Sequence, residues 1–168
     1  MGAAAILYEK NRVRPLKSLQ AFIGTPDKHN TYEAEVIGAI LALWIIENTP
    51  ETIGKKVSLF IDNQALVTAL SSQKTLAGQH LLNTLIAATN RVGCELTFKW
   101  ISGHSKVKGN EDVDKLAKEA AAGRSSTMAQ LPHILQSPLP ISVSAIKQNY
   151  MSKLIGLLHV YSGRSHTT

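Results

Sequence analysis

The chain of 168 residues contains 18 basic residues, 12 acidic residues and a single cysteine, Cys94. This length fits one small globular domain with an additional segment, and one cysteine excludes a disulfide framework or a cysteine-rich zinc site. The sequence after Met1 lacks the basic segment followed by an apolar segment that is typical of a secretory leader. We therefore expect a reducing intracellular compartment, nuclear or cytoplasmic. The longest uncharged apolar run, residues 36–46, is 11 residues long, whereas roughly 20 are needed to cross a bilayer.

The charge is distributed unevenly along the chain. All 12 acids fall within residues 1–119, and the last 49 residues carry four basic residues and no acid. The net charge is +6. This balance favours a polyanionic partner, because lysine and arginine near phosphates release condensed counterions.

Two apolar segments at the start of the chain, residues 2–8 and 16–24, predict a β-hairpin or a pair of edge strands. Further on, Asn30 stands three residues before Glu33, which is the spacing of a helix N-cap and its capping-box partner. We therefore expect a helix that begins here and ends at about Glu47.

A strand, two helices and a second strand are predicted next. Residues 57–62 alternate as in a strand and end at Asp62, and residues 94–101 form the second strand. Helical spacing appears between them at residues 63–70 and 77–92. This order predicts a parallel pair joined by a right-handed crossover, and therefore an α/β fold.

The remainder of the chain predicts one more helix of the domain and a tail. Asn110 is placed to cap a helix from Glu111 to about Ala122. We predict a domain of residues 1–124, followed by a proline-containing linker and an amphipathic helix within residues 125–168. That helix is predicted over about residues 144–161, with an apolar face suited to docking.

Three carboxylates stand where chemistry is expected in such a fold. Asp62 lies at the carboxyl end of a strand, where ligands gather in open α/β sheets. Glu35 lies in line with alanine and isoleucine residues of its helix, where a carboxylate is costly unless it is paired or bound to metal. Asp114 lies one turn inside the last helix. Carboxylates from three elements could converge on hard divalent cations, which take oxygen ligands.

Each candidate also has a structural alternative. Asp62 could cap the helix that begins at Asn63. Glu35 could complement the helix dipole, a role that Glu33 fills equally well. His104 lies in a glycine-flanked loop where a neutral imidazole can shuttle protons, although a histidine in such a loop is more often a polar surface group.

Four segments occur together in a recognisable order: Tyr32–Leu43, Phe60–Ala65, Trp100–His104 and Gly109–Ala117. In this order and spacing they resemble the type 1 ribonuclease H family, and most closely the RNase H domains of fungal retroelement reverse transcriptases. The resemblance covers roughly residues 1–122. It implies a ribonuclease H-like α/β fold, in which a mixed sheet carries helices on both faces.

The resemblance also implies an activity, which is hydrolysis of the RNA strand of an RNA/DNA hybrid by two magnesium ions, with manganese as a substitute. By motif, Glu35, Asp62 and Asp114 would be the catalytic carboxylates and metal ligands. His104 would be the loop histidine that assists proton transfer or product departure. A reverse transcriptase is an implied partner.

The hybrid would be held largely without sequence preference, through sugar hydroxyls and phosphates. The candidate contacts for this role are polar residues beside the motifs: Thr31, Asn63 and Asn110.

The family begins with a strand that bears an Asp-Gly-Ser type motif, and the resemblance implies that this chain starts after it. Residues 1–8 match the second strand of the family. The missing strand would lie between residues 1–8 and the strand that ends at Asp62, so both neighbours would have unpaired backbone groups. We therefore expect weak or absent nuclease activity and marginal stability.

Three origins of such a chain compete: a gene model begun at a downstream methionine, a decaying retroelement fragment, and a chain completed by a strand supplied by another chain. We favour the first two. The functional alternatives to an impaired nuclease are a catalytically inactive module that binds nucleic acid and a nonfunctional retroelement remnant.

Overall fold

The structure is a computed structural model, and it describes residues 1–10, 12–72, 79–102 and 107–162. Its strands are β1 (Gly2–Tyr8), β2 (Pro15–Phe22), β3 (Lys56–Ile61) and β4 (Glu95–Trp100). Its helices are α1 (Thr31–Glu47), α2 (Gln64–Ser72), α3 (Gln79–Thr89), α4 (Lys108–Ala121) and α5 (Val143–Ser162). No helix among these residues is long and apolar enough to cross a membrane.

The four strands form two separate two-stranded sheets. β1 and β2 pair antiparallel, with Ala3 opposite Ala21, which confirms the predicted hairpin. β3 and β4 pair parallel, with Leu59 opposite Phe98, as the strand–helix–strand pattern predicts. Within the described ranges no strand joins β1 to β3, so the antiparallel and parallel halves of the mixed arrangement are separated.

The core of the protein is built around α1. The side chains of Val36, Ile37, Leu41 and Leu43 are fully buried, because β1 and β2 pack against one part of the helix and α3 against another. Leu85 of α3 is buried in the same cluster. Burial of each such side chain contributes roughly 1.5–3 kcal/mol to stability.

The start of α1 is fixed by the capping box that the sequence predicts. The Glu33 N–H group donates to Asn30 Oδ1 at 2.9 Å, and the Asn30 N–H group donates to Glu33 Oε2 at 3.2 Å. The buried Glu33 carboxylate also lies 3.3 Å from His29 Nδ1. Glu33 is therefore the acid that stabilises the start of the helix. The loop before the helix contains Gly24, which has a φ of +123°, and a Cβ atom there would lie 2.4 Å from the imidazole of His29.

α4 packs directly on the backbone of β1. A Cβ atom on Gly2 would lie 2.1 Å from the carbonyl oxygen of Ala117, so only glycine permits this approach. Ala3 and Ala5 belong to the core cluster around α1. Since successive side chains of a strand point to opposite faces, α1 and α4 lie on opposite faces of β1.

The prediction that Asn110 caps α4 is wrong. The helix begins at Lys108, and its N-cap is Val107, which provides no side-chain hydrogen bond. The Asn110 and Glu111 N–H groups both donate to the Val107 carbonyl, at 2.9 and 3.2 Å. Asn110 is therefore already inside the first turn, where its backbone is helical.

The segment after α4 closes the outer edge of β2. The Gln20 N–H group donates to Ser126 Oγ at 3.1 Å, and the Ser126 N–H group donates to the Gln20 carbonyl at 2.8 Å. The Phe22 N–H group donates to Ser125 Oγ at 2.8 Å. These bonds satisfy backbone groups that would otherwise form an open sheet edge.

The tail forms a helix, α5, close to the predicted bounds. Its start is held against the body by two bonds, from Ser142 N–H to the Lys28 carbonyl at 2.8 Å and from Asn30 Nδ2 to Ser144 Oγ at 2.6 Å. Further along, Tyr150 is exposed. The division of the chain near residue 124 stays a prediction.

Candidate active site

A cleft of about 280 Å³ lies between the two sheets. β1 and β3 form its side walls, and α1 and α4 contribute the surfaces above and below them. Small residues from β1, α1 and α4 form part of its lining: Gly2, Ala3, Ala4, Ala5, Ala34, Gly38, Ala39, Ala42, Gly109 and Ala117. The acidic residues in its lining are the three predicted from the sequence: Glu35, Asp62 and Asp114.

These three carboxylates come from three different elements and share one electrostatic environment. Glu35 lies in the first half of α1, Asp62 directly follows β3, and Asp114 lies in the second turn of α4. The pKa of Glu35 is raised to about 7, first by burial, then by the charge of Asp62 and a hydrogen bond with it, and then by the charge of Asp114. The structure therefore brings the predicted carboxylates together.

The helix-terminal roles considered for two of these acids, a cap for Asp62 and a dipole partner for Glu35, are filled by other side chains. Asn30 is the N-cap of α1, and Glu33 is its capping-box partner and the acid of its first turn. Asn63 Oδ1 accepts a hydrogen bond from the Leu66 N–H group at 3.0 Å, so Asn63 rather than Asp62 caps α2. Helix capping therefore does not account for Asp62 or Glu35.

The three carboxylates suit a hard divalent cation, because the atoms that they offer as ligands are all oxygens. A bound cation would also offset the repulsion among the carboxylates, which adds to burial in raising the pKa of Glu35. Among the described residues, however, no three His, Cys, Asp or Glu side chains are gathered closely enough to form a metal site as they stand.

The other predicted site residues are placed differently. His104 lies outside the described residues. Thr31 is the exposed first residue of α1, and Asn110 lines the cleft from α4. The side-chain oxygen of Asn63 is used in the α2 cap. Of the three predicted nucleic-acid contacts, Asn110 is the one that lines the cleft.

Sequence reasoning missed Tyr8, which lines the cleft and holds the first turn of α4. Its hydroxyl donates to Asp112 Oδ2 at 2.6 Å. The pKa of Tyr8 is raised to about 12, first by burial and then by the hydrogen bond and charge of Asp112. Asp112 is therefore a hydrogen-bond partner of Tyr8. No motif marks this pair, which is separated by 104 residues in sequence.

Two exposed aromatic residues near Asp62 were also missed. Phe60 is 55% exposed and Trp100 is 51% exposed, and Trp100 Nε1 donates to the Asp62 carbonyl at 3.2 Å. Lys99 Nζ lies 5.8 Å from the centre of the Phe60 ring. The aromatic and basic residues at the end of β4 could have indicated this feature in the sequence, because such residues suit stacking on bases and contact with phosphates.

The architecture and the carboxylate cleft are those of an α/β protein of the ribonuclease H type. The RNase H family model matches residues 1–122, and the chain belongs to this family. Its structure is similar to the N-terminal RNase H domain of rv2228c from Mycobacterium tuberculosis, solved as a fusion with maltose-binding protein. The two share 14% identity and a TM-score of 0.55, over 73% of this chain and 91% of that chain. A search of curated proteins found no match.

Proposed function

We propose that the chain is a ribonuclease H-type nuclease domain that cleaves the RNA strand of RNA/DNA hybrids. The observation that carries this proposal is the cleft in which Glu35, Asp62 and Asp114 meet, in a chain of the RNase H family. Three carboxylates in one cleft are the ligands that hard divalent cations take.

In this proposal Glu35, Asp62 and Asp114 hold the divalent cations, magnesium or manganese. When bound, the ions supply an activated water and stabilise the leaving 3′ oxygen. Asp62 is positioned through its backbone by the Trp100 indole. Glu35 must be ionised to serve as a ligand, and its raised pKa leaves a substantial protonated fraction near neutral pH, which a bound cation would reduce. His104 assists proton transfer or product departure.

The proposed substrate contacts surround the cleft. Asn110 lies on its α4 wall, and Thr31 lies at the exposed start of α1. Asn63 is also proposed as a contact, through the part of its side-chain amide that the capping bond does not use. The net charge of +6 supports attraction to the phosphate backbone. We expect this binding to be salt-dependent and largely independent of sequence.

We also infer that the 168-residue chain cleaves weakly. The family resemblance implies a further aspartate on a strand between β1 and β3, and the described residues place no acid from such a strand in the cleft. The resemblance further supports an origin in a fungal retroelement and association with a reverse transcriptase.

The test is magnesium-dependent cleavage of a labelled RNA/DNA hybrid by the chain fitted with an aspartate-bearing N-terminal strand. Asp62→Asn is expected to lower the rate by at least about 100-fold, because electrostatic and metal-ligand groups contribute at least this much to catalysis. Glu111→Gln is the matched control, since Glu111 is an exposed α4 acid outside the cleft lining. Equal rates for the Asp62→Asn variant and its parent would contradict the proposal.

A second candidate function is a noncatalytic module that binds hybrids. It is favoured by the finding that the described carboxylates are not gathered into a ready metal site. This candidate predicts salt-dependent hybrid binding without cleavage, even with the added strand, and binding that Glu35→Gln and Asp62→Asn leave unchanged.

A further inference from the structure

α5 contacts the rest of the protein through small and polar side chains. Ser142, just ahead of the helix, and Ala145 in its first turn are buried, and Asn149 is partly buried. Ala145 and Asn149 are four residues apart, so they lie on the same side of the helix. This side is therefore the one that faces the body of the protein.

Lys153 extends the body-facing side by a further turn. It lies four residues after Asn149 and so shares its side of the helix. The pKa of Asp27, in the loop that precedes α1, is lowered first by a hydrogen bond with the Thr25 side chain and, to a smaller extent, by the charges of Lys28 and Lys153. α5 therefore presents the same side to the body along its first half.

The opposite side of α5 is apolar and faces solvent. Helix residues four apart are neighbours along the helix surface, and two such rows, residues 146, 150 and 154 and residues 143, 147, 151 and 155, run side by side. We call these seven residues the exposed face of α5. An amphipathic helix of a globular domain normally turns its apolar stripe toward the core, and exposed apolar patches mark interaction sites. Apart from Lys147, every residue of the exposed face is apolar and at least 40% exposed: Val143, Ile146, Tyr150, Met151, Leu154 and Ile155.

One cation interrupts the exposed face. Lys147 is exposed and lies between Val143 and Met151 in the second row. Among the residues that the structure describes, no acid forms an ion pair with it. Residues 120–168 contain no Asp or Glu, so α5 itself offers no acidic side chain to pair with Lys147. A carboxylate on a docked partner would supply the opposite charge.

This charge pattern distinguishes between the possible occupants of the exposed face. A second copy of α5 would bring only basic side chains to the contact, and like charges at helix contacts are destabilising. Helices that lie on a membrane surface carry their basic residues on the polar side, whereas Lys147 lies among apolar residues. An acidic amphipathic helix avoids both difficulties, because it covers the apolar rows and pairs with the lysine.

We propose that the exposed face of α5 is a docking surface for an acidic amphipathic helix of a partner protein. The apolar stripe of that helix packs on Ile146, Tyr150 and Leu154, and an aspartate or glutamate beside the stripe pairs with Lys147. Tyr150 is the expected anchor, because tyrosine is enriched among the residues that dominate binding energy. Of the described α5 residues none lines the cleft, so the proposal does not depend on nuclease activity.

The test uses two synthetic helices of about three heptads, with leucine at the first and fourth positions of each heptad. One peptide has glutamate at the fifth and seventh positions, and the other has lysine there. Binding of each labelled peptide to the full chain is measured by fluorescence anisotropy. We expect the glutamate peptide to bind at least about tenfold more tightly than the lysine peptide, because complementary charges favour one partner and like charges oppose the other.

Three variants locate the binding on α5. Lys147→Glu is expected to reverse the preference between the peptides, and Tyr150→Ser is expected to weaken binding of the glutamate peptide at least about tenfold. Lys55→Glu is the matched control, because it changes the net charge equally at an exposed lysine just ahead of β3. Its preference should equal that of the parent.

Similar affinities for the two peptides, or a Lys147→Glu variant that keeps the preference of the parent, would overturn the proposal. Absence of binding to either peptide would overturn it as well. If the chain instead self-associates in sedimentation experiments and Tyr150→Ser abolishes this, a second copy covers the face. If vesicles that contain phosphatidylserine bind and the peptides do not, the face lies on a membrane. Both of these results would also contradict the proposal.

Discussion

The two edges of the β1–β2 hairpin differ in how their backbone groups are bonded. The outer edge is closed by the segment that follows α4, since Gln20 is bonded to Ser126 and Phe22 to Ser125. The inner edge borders the cleft, and across that cleft β3 presents a second edge. The chain therefore protects the edge that is remote from the carboxylates, while among the described residues no strand pairs with the edges that border the proposed chemistry. An open edge of this kind favours association with other chains.

The largest expected effect comes from removing the close contact that holds α4 over the hairpin. Gly2→Val is expected to lower the free energy of unfolding by roughly 3 kcal/mol, because its side chain would overlap the α4 backbone. Chemical denaturation measures this change. Gly109→Ala is the control, because a Cβ atom there would lie an ordinary 3.7 Å from the Tyr8 ring. Equal losses for the two variants would show that α4 does not require the Gly2 contact.

A smaller effect is expected from the cleft carboxylates. The folded pKa of Glu35 is raised from 4.5 to about 7, so the folded state binds more protons than the unfolded state between these values. The free energy of unfolding therefore falls as the pH rises through this window. Glu35→Gln is expected to remove this slope and to raise stability at pH 8 by roughly 3 kcal/mol.

Denaturation of the Glu35→Gln variant and its parent at pH 4 and pH 8, without divalent cations, checks this prediction. The two proteins should differ little at pH 4, where Glu35 is protonated in both states. A variant that is no more stable than its parent at pH 8 would show that burial and the neighbouring carboxylates do not penalise the charged form of Glu35.

The smallest effect is expected at the protected edge. Ser126→Ala removes the acceptor of the Gln20 N–H group and is expected to lower stability by about 1 kcal/mol. Amide exchange should become faster at Gln20 and remain unchanged at Ala4, because Ala4 faces the other edge. Faster exchange at both residues would show that the two edges are not independent.

Local patterns predicted much of the fold. The Asn30–Glu33 capping box depends on spacing over a few residues, the hairpin and the parallel pair follow from the order of strands and helices, and the structure confirms all three. Asn110 was placed wrongly as a cap, because an asparagine in the first turn of a helix cannot be told from an N-cap by spacing alone. Asp62 and Asn63 are adjacent candidates for the same cap, and only the bond to the Leu66 N–H group distinguishes them.

The sequence singled out the three carboxylates that line the cleft, and their catalytic roles stay a prediction. Glu35, Asp62 and Asp114 lie at positions that the order of strands and helices brings to the cleft between the two sheets. Long-range features were not available from local spacing, because they depend on how helices and strands pack. The bond from Tyr8 to Asp112 and the close contact of Gly2 with α4 are two examples.

The most direct test of the account compares hybrid cleavage by three proteins in magnesium: the 168-residue chain, the chain with an N-terminal strand that carries an aspartate at its cleft end, and the same extended chain with asparagine at that position. We predict efficient cleavage by the aspartate-bearing protein alone, with rates at least about 100-fold lower for the other two. Equally efficient cleavage by the 168-residue chain would show that its cleft is complete without a further strand. Absence of cleavage in all three would contradict the proposed nuclease function.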